Sequence, residues 1–407
     1  MSASETRRKS ATAEEGVPRT SQALRVLVLT TQFPNPLFPH WATFNRQQMD
    51  AMASFCRLGL VAPVPWTELM GAGSWRLTSQ DKPYPVHWPV FWYLPRFRRH
   101  WHARCLLWSA WPQLRRLAQD LRPQVLLATW LFPSGWAGMM AARRLGLPFV
   151  LKVHGSDVMV FKDDPRRRPY LQQALTAAQA VVAVSRSLAE EVVSLGAEPQ
   201  RVHLIGNGLN QGLFTPGDRE LARRRLGLDL GERLLLFVGR LVPVKGLETA
   251  LRAMVRLPRT RLVVVGQGPQ EASLKALARD MGLYERVIWA GPQPHQEVPS
   301  YMAAADAVVL PSLSEGDPNS VLEALGCGRP VVAARVGGVP EVVHEDQQGS
   351  LFEAGDAAGL AQAAQKVLGR EWDPGALSAS VAGRSWQASA AALLDVLERV
   401  ASQGAAS

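Results

Sequence analysis

Short apolar runs recur along the whole chain, and segments of helical period separate them. In the first half they are LRVLVLT (Leu24–Thr30), RLGLVA (Arg57–Ala62), VLLAT (Val125–Thr129), PFVLKVH (Pro148–His154), AVVAVS (Ala180–Ser185) and VHLIG (Val202–Gly206). In the second they are LLLFVG (Leu234–Gly239), RLVVVG (Arg261–Gly266), RVIWAG (Arg286–Gly291), AVVLPS (Ala307–Ser312) and PVVAA (Pro330–Ala334). Each is continuous rather than alternating, which marks a strand buried on both faces and hence a parallel sheet covered by helices. Amphipathic pieces such as EASLKALARDMGL (Glu271–Leu283) lie between them. The fold class is therefore α/β, with two doubly wound parallel-sheet domains. A length of 407 residues suits two domains of similar size. NGLNQGLFTPGD (Asn207–Asp218), dense in Gly, Asn and Pro, marks the joint. The first domain takes residues 22–206, the second begins at 207, and 1–21 form a disordered arm.

Three widely spaced cysteines, Cys56, Cys105 and Cys327, argue against a disulfide framework and for a reducing compartment, the cytoplasm. MSASETRRKSATAEEG has no apolar core, so a secretory signal is not expected. A net charge of +10 points to anionic partners: phosphates, a membrane surface or nucleic acid. The basic residues are dispersed and no nucleic-acid motif is present, which leaves phosphates and membrane. His87–Trp111 carries five tryptophans and four arginines. Two readings stand: an irregular helical subdomain with its aromatics packed inward, or a basic aromatic face lying on an anionic membrane.

In sheets of this kind ligands sit outside the carboxyl ends of the strands, here in the cleft between domains. LLLFVG is followed by GRLVPVKG, in which Gly239 permits a tight turn and Arg240 and Lys245 supply two fixed cations suited to a diphosphate. AVVLPS is followed by LSEGDPNSVLEAL. There Asp317 reads as an N-cap, Pro318 as the first helical residue, and the amides of Asn319, Ser320 and Val321 as an anion site. Glu315 lies before that helix and Glu323 more than a turn inside it, so two carboxylates at different depths can bind hydroxyls of a sugar and of a ribose. The plainer reading is a capping residue and a surface glutamate. His154 ends a strand ahead of Gly155 and points to the cleft from the first domain. Gly266 opens a strand-to-helix turn, but Glu271 stands where G-x-G-x-x-G needs its third glycine, so the dinucleotide fingerprint fails. No D-x-D metal pair and no H-E-x-x-H occurs.

Glu315-x7-Glu323 with ALGCGRPVVAARVGGVPEVV behind it, GRLVPVKGLETAL, VVVGQGP, NGLN and HGSD occur in an order that resembles glycosyltransferase family 4, retaining enzymes of the GT-B fold, over most of residues 24–400. The resemblance implies a donor site in which Gly239, Arg240, Lys245, Gly266 and the amides of Asn319, Ser320 and Val321 hold the diphosphate. It implies that Glu315 meets the transferred sugar, Glu323 the ribose, and that His154 approaches the sugar and β-phosphate. His154, Arg240, Lys245 and Glu315 form the implied catalytic set. It further implies a UDP-, GDP- or ADP-sugar donor, no cofactor and no metal, and a saccharide or lipid-linked saccharide acceptor. The second domain would then span 207–385, with 386–407 as a helix crossing back to the first domain and a tail. Two features depart from the family pattern. The loop after the first strand, TTQFPNPLFPHWATFNRQQ, has no glycine, so His40, Trp41 and Thr43 fill space usually left to backbone. GDPN stands where many members have GFG, a variant that resembles bacterial cell-surface polysaccharide enzymes. The expected setting is exopolysaccharide or cell-surface glycan assembly, in the cytoplasm and at the inner face of the membrane. A nucleotide-sugar epimerase or hydrolase of the same fold, or a non-catalytic nucleotide-sugar-binding subunit, are the alternatives.

Overall fold

The computed structural model describes residues 23–39, 41–72, 77, 82–95 and 99–405. The expected disordered arm, 1–21, lies outside the described residues, as do His40, Arg96 and Arg98. In chain order the strands of the first half are β1 (Arg25–Thr30), β2 (Arg57–Val61), β3 (Val64–Pro65), β4 (Val86–His87), β5 (Val90–Phe91), β6 (Val125–Thr129), β7 (Phe149–Val153), β8 (Ala180–Ala183) and β9 (Val202–Leu204). Those of the second are β10 (Arg233–Val238), β11 (Thr260–Val265), β12 (Val287–Gly291), β13 (Ala307–Leu310), β14 (Val331–Ala334) and β15 (Gly349–Phe352).

The first sheet runs β4-β2-β1-β6-β7-β8-β9 and the second β12-β11-β10-β13-β14-β15. Every pairing within them is parallel. Along the central strands side chains alternate between two cores. In β1, Leu27 and Leu29 join one core, whereas Val26 and Val28 join the other. Helices cover both faces, which is why the runs are apolar without alternation. The last helix, Trp386–Ala405, contributes Trp386, Leu393, Leu397 and Val400 to the core of the first sheet, beside the helix Thr43–Met52. Leu209 and Ser385 form a bridge between the two crossing segments, and the Leu209 amide donates to Arg384 O at 2.7 Å.

Two strand expectations are corrected. VHLIG and RVIWAG are not buried on both faces: β9 and β12 are edge strands, with Leu204 49 % exposed and β12 half-buried from Ile288 to Gly291. Burial on both faces needs a neighbour and cover that an edge lacks. β3, β4 and β5 escaped the apolar-run criterion because they are two residues long, and β15 because its four residues open on Gly and Ser.

Candidate active site

Strand order reverses between β1 and β6 in one sheet and between β10 and β13 in the other, so loops there diverge and leave a crevice. The loops after β10 and β13 are clamped together. Gly246 has φ 63°, and a Cβ there would stand 1.9 Å from Pro311 O. The Leu313 amide donates to Val244 O at 2.7 Å. The clamp brings Lys245 Nζ to 2.6 Å from Glu315 Oε1, an oxygen that also accepts from Ser312 Oγ at 2.6 Å. Gly239 continues the β10–β11 pairing through its amide to Val265 O, and Gly266 lies against it. The left-handed turn of this loop is at Gly246, not Gly239.

The helix after β13 spans Asn319–Gly326. Asp317 is not its N-cap and Pro318 is not its first residue: Pro318 occupies the cap position with no side-chain hydrogen bond. The Val321 amide donates to Pro318 O at 2.9 Å, so the amides left open at the first turn are those of Asn319 and Ser320. Glu323 is half-buried, and its carboxyl has no hydrogen-bond or ion-pair partner among the described residues. Burial pushes it up to about 8.

His154 follows β7 and packs against Phe44 and Trp130, at centroid distances of 4.9 and 6.1 Å. Both ring nitrogens are buried without a hydrogen-bond partner. Burial, with Lys152 beside it, holds the imidazole well below its ordinary value and therefore neutral. Its backbone is fixed by Asp157, whose Oδ1 accepts from the amides of His154 at 3.0 Å and Gly155 at 2.8 Å. Asp157 Oδ2 accepts from Leu131 N at 2.7 Å.

The two domains meet backbone to backbone around Glu315. A Cβ on Gly316 would stand 1.9 Å from His154 O, and one on Gly155 2.7 Å from Gly316 Cα. Behind this contact the Gly337-Gly338 loop supports the Glu315 segment, the Gly338 amide donating to Gly316 O at 3.0 Å. Glu341, just beyond, accepts from Arg186 N at 2.8 Å and so caps a first-domain helix, Arg186–Ser194, from the second domain. A cavity of about 210 Å³ opens beside Glu315, between Met159, Leu188 and Glu191 on one side and Leu313, Ser314 and Gly337 on the other.

Asp317 instead serves the joint. Its side chain is 2 % exposed; Oδ2 accepts from Asn207 N at 2.6 Å, and both oxygens face Arg384 Nη1 at 3.2 Å. Burial raises its pKa, and Arg384 and the Asn207 amide oppose that rise. Asn207 Nδ2 also donates to Asn319 Oδ1 at 3.0 Å. Nearby, Lys152 is wholly buried and donates to Gln48 Oε1; Gln48 donates to Ser389 Oγ at 3.2 Å, and Ser389 to Gly206 O at 2.7 Å. Burial lowers Lys152 to about 7, with Asp317 acting the other way. A single carboxylate thus ties the Glu315 loop to both crossing segments. Sequence reading missed this because Asp before Pro imitates a cap, and its partners lie 110 and 67 positions away.

Arg240 reaches across to the first domain. Its guanidinium lies 4.1 Å from the centroid of Trp41, in the glycine-free loop after β1. Trp41 therefore fills space at the cleft and meets a cation proposed for the diphosphate. The tryptophan-rich segment divides. Trp88 is half-buried and donates to Pro34 O at 3.2 Å, and Trp111 lies beneath Arg144. Trp92, Trp101 and Trp108 are 46, 42 and 71 % exposed. On the helix His102–Leu121, Arg104, Trp108 and Arg115 share one outward face at intervals of four and seven. No helix among the described residues is long and apolar enough to cross a membrane.

Two parallel-sheet domains closing face to face over loops from their carboxyl ends define the GT-B class of fold. Solved structures agree on the fold. Sucrose-phosphate synthase from Thermosynechococcus elongatus superimposes with a TM-score of 0.71 at 21 % identity, covering 93 % of this chain and 97 % of that one. Anabaena HepE in complex with UDP-glucose gives 0.69 at 19 % identity, over 94 % and 100 %. Residues 72–212 match the family model described as Glycosyltransferase Family 4, and residues 218–380 that of Glycosyl transferases group 1. Across these two stretches the chain belongs to the group 1, family 4 glycosyltransferases. The D-inositol 3-phosphate glycosyltransferase of Acidothermus cellulolyticus is 37 % identical over 277 residues, 62 % of this chain. The chain spans 60 % of that relative's length.

Proposed function

We propose that this chain is a retaining glycosyltransferase that moves a sugar from a nucleoside diphosphate to an acceptor hydroxyl, without cofactor or metal. One observation carries the reading. Near the clamped Lys245–Glu315 pair in the chain or across the Gly155–Gly316 contact, several polar groups have no partner among the described residues: both buried nitrogens of His154, the Glu323 carboxyl and the amides of Asn319 and Ser320. A buried polar group left unbonded costs about 1–3 kcal/mol, so a set of them facing one crevice is matched to a ligand that bonds them.

In this reading Glu323 binds ribose hydroxyls, and Glu315 those of the transferred sugar. Lys245, Arg240 and the two amides take the diphosphate, and neutral His154 donates to the sugar or the β-phosphate. The C1–O bond to the β-phosphate breaks, and C1 bonds to the acceptor oxygen on the same face. The acceptor's proton passes to a leaving phosphate oxygen. Lys245, Arg240 and the helix N-terminus offset charge growing on that phosphate. A binding-only subunit has no use for a cation paired to the sugar-side carboxylate, and an epimerase or hydrolase needs first-domain acids where His154 stands.

The UDP-glucose complex of the Anabaena neighbour favours a UDP-sugar over GDP- and ADP-sugars. The name of the Acidothermus relative favours an acceptor that carries phosphate on a polyol. The exposed Trp and Arg residues favour a peripheral site on the inner face of the cytoplasmic membrane, which fits a lipid-linked acceptor and cell-surface glycan assembly as the second reading. The test is nucleotide release from each donor, with and without acceptor, in wild type and Lys245→Ala. A loss of about a hundredfold, roughly 3 kcal/mol in the barrier, is expected. Turnover by Lys245→Ala equal to wild type would remove the site assignment.

A further inference from the structure

A second concentration of positive charge lies on the first domain, away from Arg240 and Lys245. Arg167 follows β7, and its guanidinium sits 4.5 Å from the ring centroid of Phe161 and 5.7 Å from that of Phe132. Phe132 touches Tyr170 at 6.1 Å. Arg104 lies 5.9 Å from the Tyr170 ring centroid, and His100 lies 6.5 Å from the same ring. Arg99 begins the short turn that carries His100 into the helix His102–Leu121. That helix precedes β6 and runs antiparallel to it, so its first turn lies at the carboxyl ends of the strands, where Phe132 and Phe161 also lie. The cluster therefore sits on the cleft side of the domain.

These cations outnumber the carboxylates beside them, Asp164 being paired with Arg167 alone. Arg99 and Arg104 have no carboxylate partner among the described residues. Arg167 reaches Asp164 only at 3.5 Å, and its buried Nε has no hydrogen bond. Asp164 also accepts from the Arg166 amide at 2.9 Å, and the other acid of this loop, Asp163, is exposed. Arg99 acts on Arg167 as a like charge, and both act on His102 in the same sense. The Tyr170 hydroxyl has no hydrogen-bond partner among the described residues. An ordinary solvated basic face spreads its charges into water. Here one arginine, with 12 % of its side chain exposed, is held against two aromatic rings, Phe132 and Phe161, and repelled by Arg99.

We propose that Arg99, Arg104 and Arg167, with the Tyr170 hydroxyl, form a binding site for a phosphate group on the acceptor. Guanidinium forks match phosphate oxygens in pairs, and the aromatic floor keeps them pointed outward. This rests on the glycosyltransferase reading for the word acceptor, but the binding itself does not. The shared chemistry is a phosphate ester. Its source is either a soluble phosphorylated polyol or a phospholipid headgroup beneath the exposed Trp101 and Trp108.

The experiment uses the full chain with UDP present. Wild type and the Arg99→Gln/Arg104→Gln double variant, both exposed positions, are titrated with inorganic phosphate against chloride of equal ionic strength, with the melting temperature as readout. The wild type is expected to gain stability with phosphate, and the double variant to need about tenfold more phosphate for the same shift. No effect of phosphate on the wild type, or equal shifts in the two proteins, would overturn the proposal. Vesicles of phosphatidylcholine with and without phosphatidylglycerol then separate the sources. Competition by the anionic vesicles alone assigns a headgroup, and no competition assigns a soluble phosphate; either retains the site. The shift caused by UDP itself is read in the same runs. Its absence would remove the donor reading while leaving the comparison of the two proteins intact.

Discussion

Replacing Glu323 by glutamine separates a penalty that the ligand-free protein carries from a contact that the donor makes. The carboxyl is pushed up to about 8 by burial, from an ordinary 4.5, with nothing bonded to it to offset the loss of water. The folded state thus holds this proton more tightly than the unfolded chain does. Stability from this group is complete below about pH 4.5 and is lost as pH rises through about 8. Each tenfold step in an acid constant is about 1.4 kcal/mol for a wholly buried group, and the partial exposure of Glu323 keeps the cost below that as pH rises from about 4.5 towards 8. Glutamine keeps the size and cannot ionise. Melting temperatures of wild type and Glu323→Gln at pH 5 and at pH 8 test this. The two proteins should melt within a degree or two at pH 5, whereas at pH 8 the variant should melt several degrees higher. The same variant should bind a nucleotide sugar at least tenfold more weakly at pH 7, because glutamine offers the ribose hydroxyls one acceptor oxygen where the carboxyl offers two. Parallel pH dependence in the two proteins would refute the reasoning, since it would mean that Glu323 is solvated or paired.

Gly316→Ala places a Cβ 1.9 Å from His154 O, a contact between domains rather than within one. It should cut kcat about a hundredfold or more while leaving UDP affinity within severalfold, measured by turnover and calorimetry. Asp317→Asn keeps the bond from Asn207 but leaves Arg384 unpaired; with Arg384 a third exposed the loss should be about 2 kcal/mol, and Arg384→Gln combined with it should add little, read from melting curves. Trp101→Ser with Trp108→Ser removes exposed aromatic surface. It should abolish co-flotation with phosphatidylglycerol vesicles at low salt without changing donor binding; unchanged flotation would detach these residues from the membrane.

The two sheets were legible because a strand buried on both faces leaves an unmistakable apolar run, as LRVLVLT and LLLFVG do. A two-residue strand such as β4, or one that opens on Gly and Ser as β15 does, leaves no such mark. Glu315, Glu323 and Lys245 were found by their places after strands, and the structure brings Lys245 against Glu315. Asp317 misled because its local setting is that of a cap, whereas its partners come from both crossing segments. Gly155, Gly316 and Gly337 were visible as glycines, but what each makes room for is backbone from another part of the chain. The stacking of Arg240 on Trp41 joins residues 199 apart across the cleft, and no local pattern carries that distance.

The most direct test is thermal stability of the purified chain against UDP-, GDP- and ADP-sugars, in wild type, Arg240→Ala and Glu323→Ala. A donor at a hundred times its dissociation constant should add about 2.7 kcal/mol to the wild type. The account predicts that one nucleotide sugar, a UDP-sugar first, raises the wild-type melting temperature and moves neither variant. A shift of equal size in all three proteins would contradict it, by placing the donor outside the cleft that Glu323 and Arg240 line.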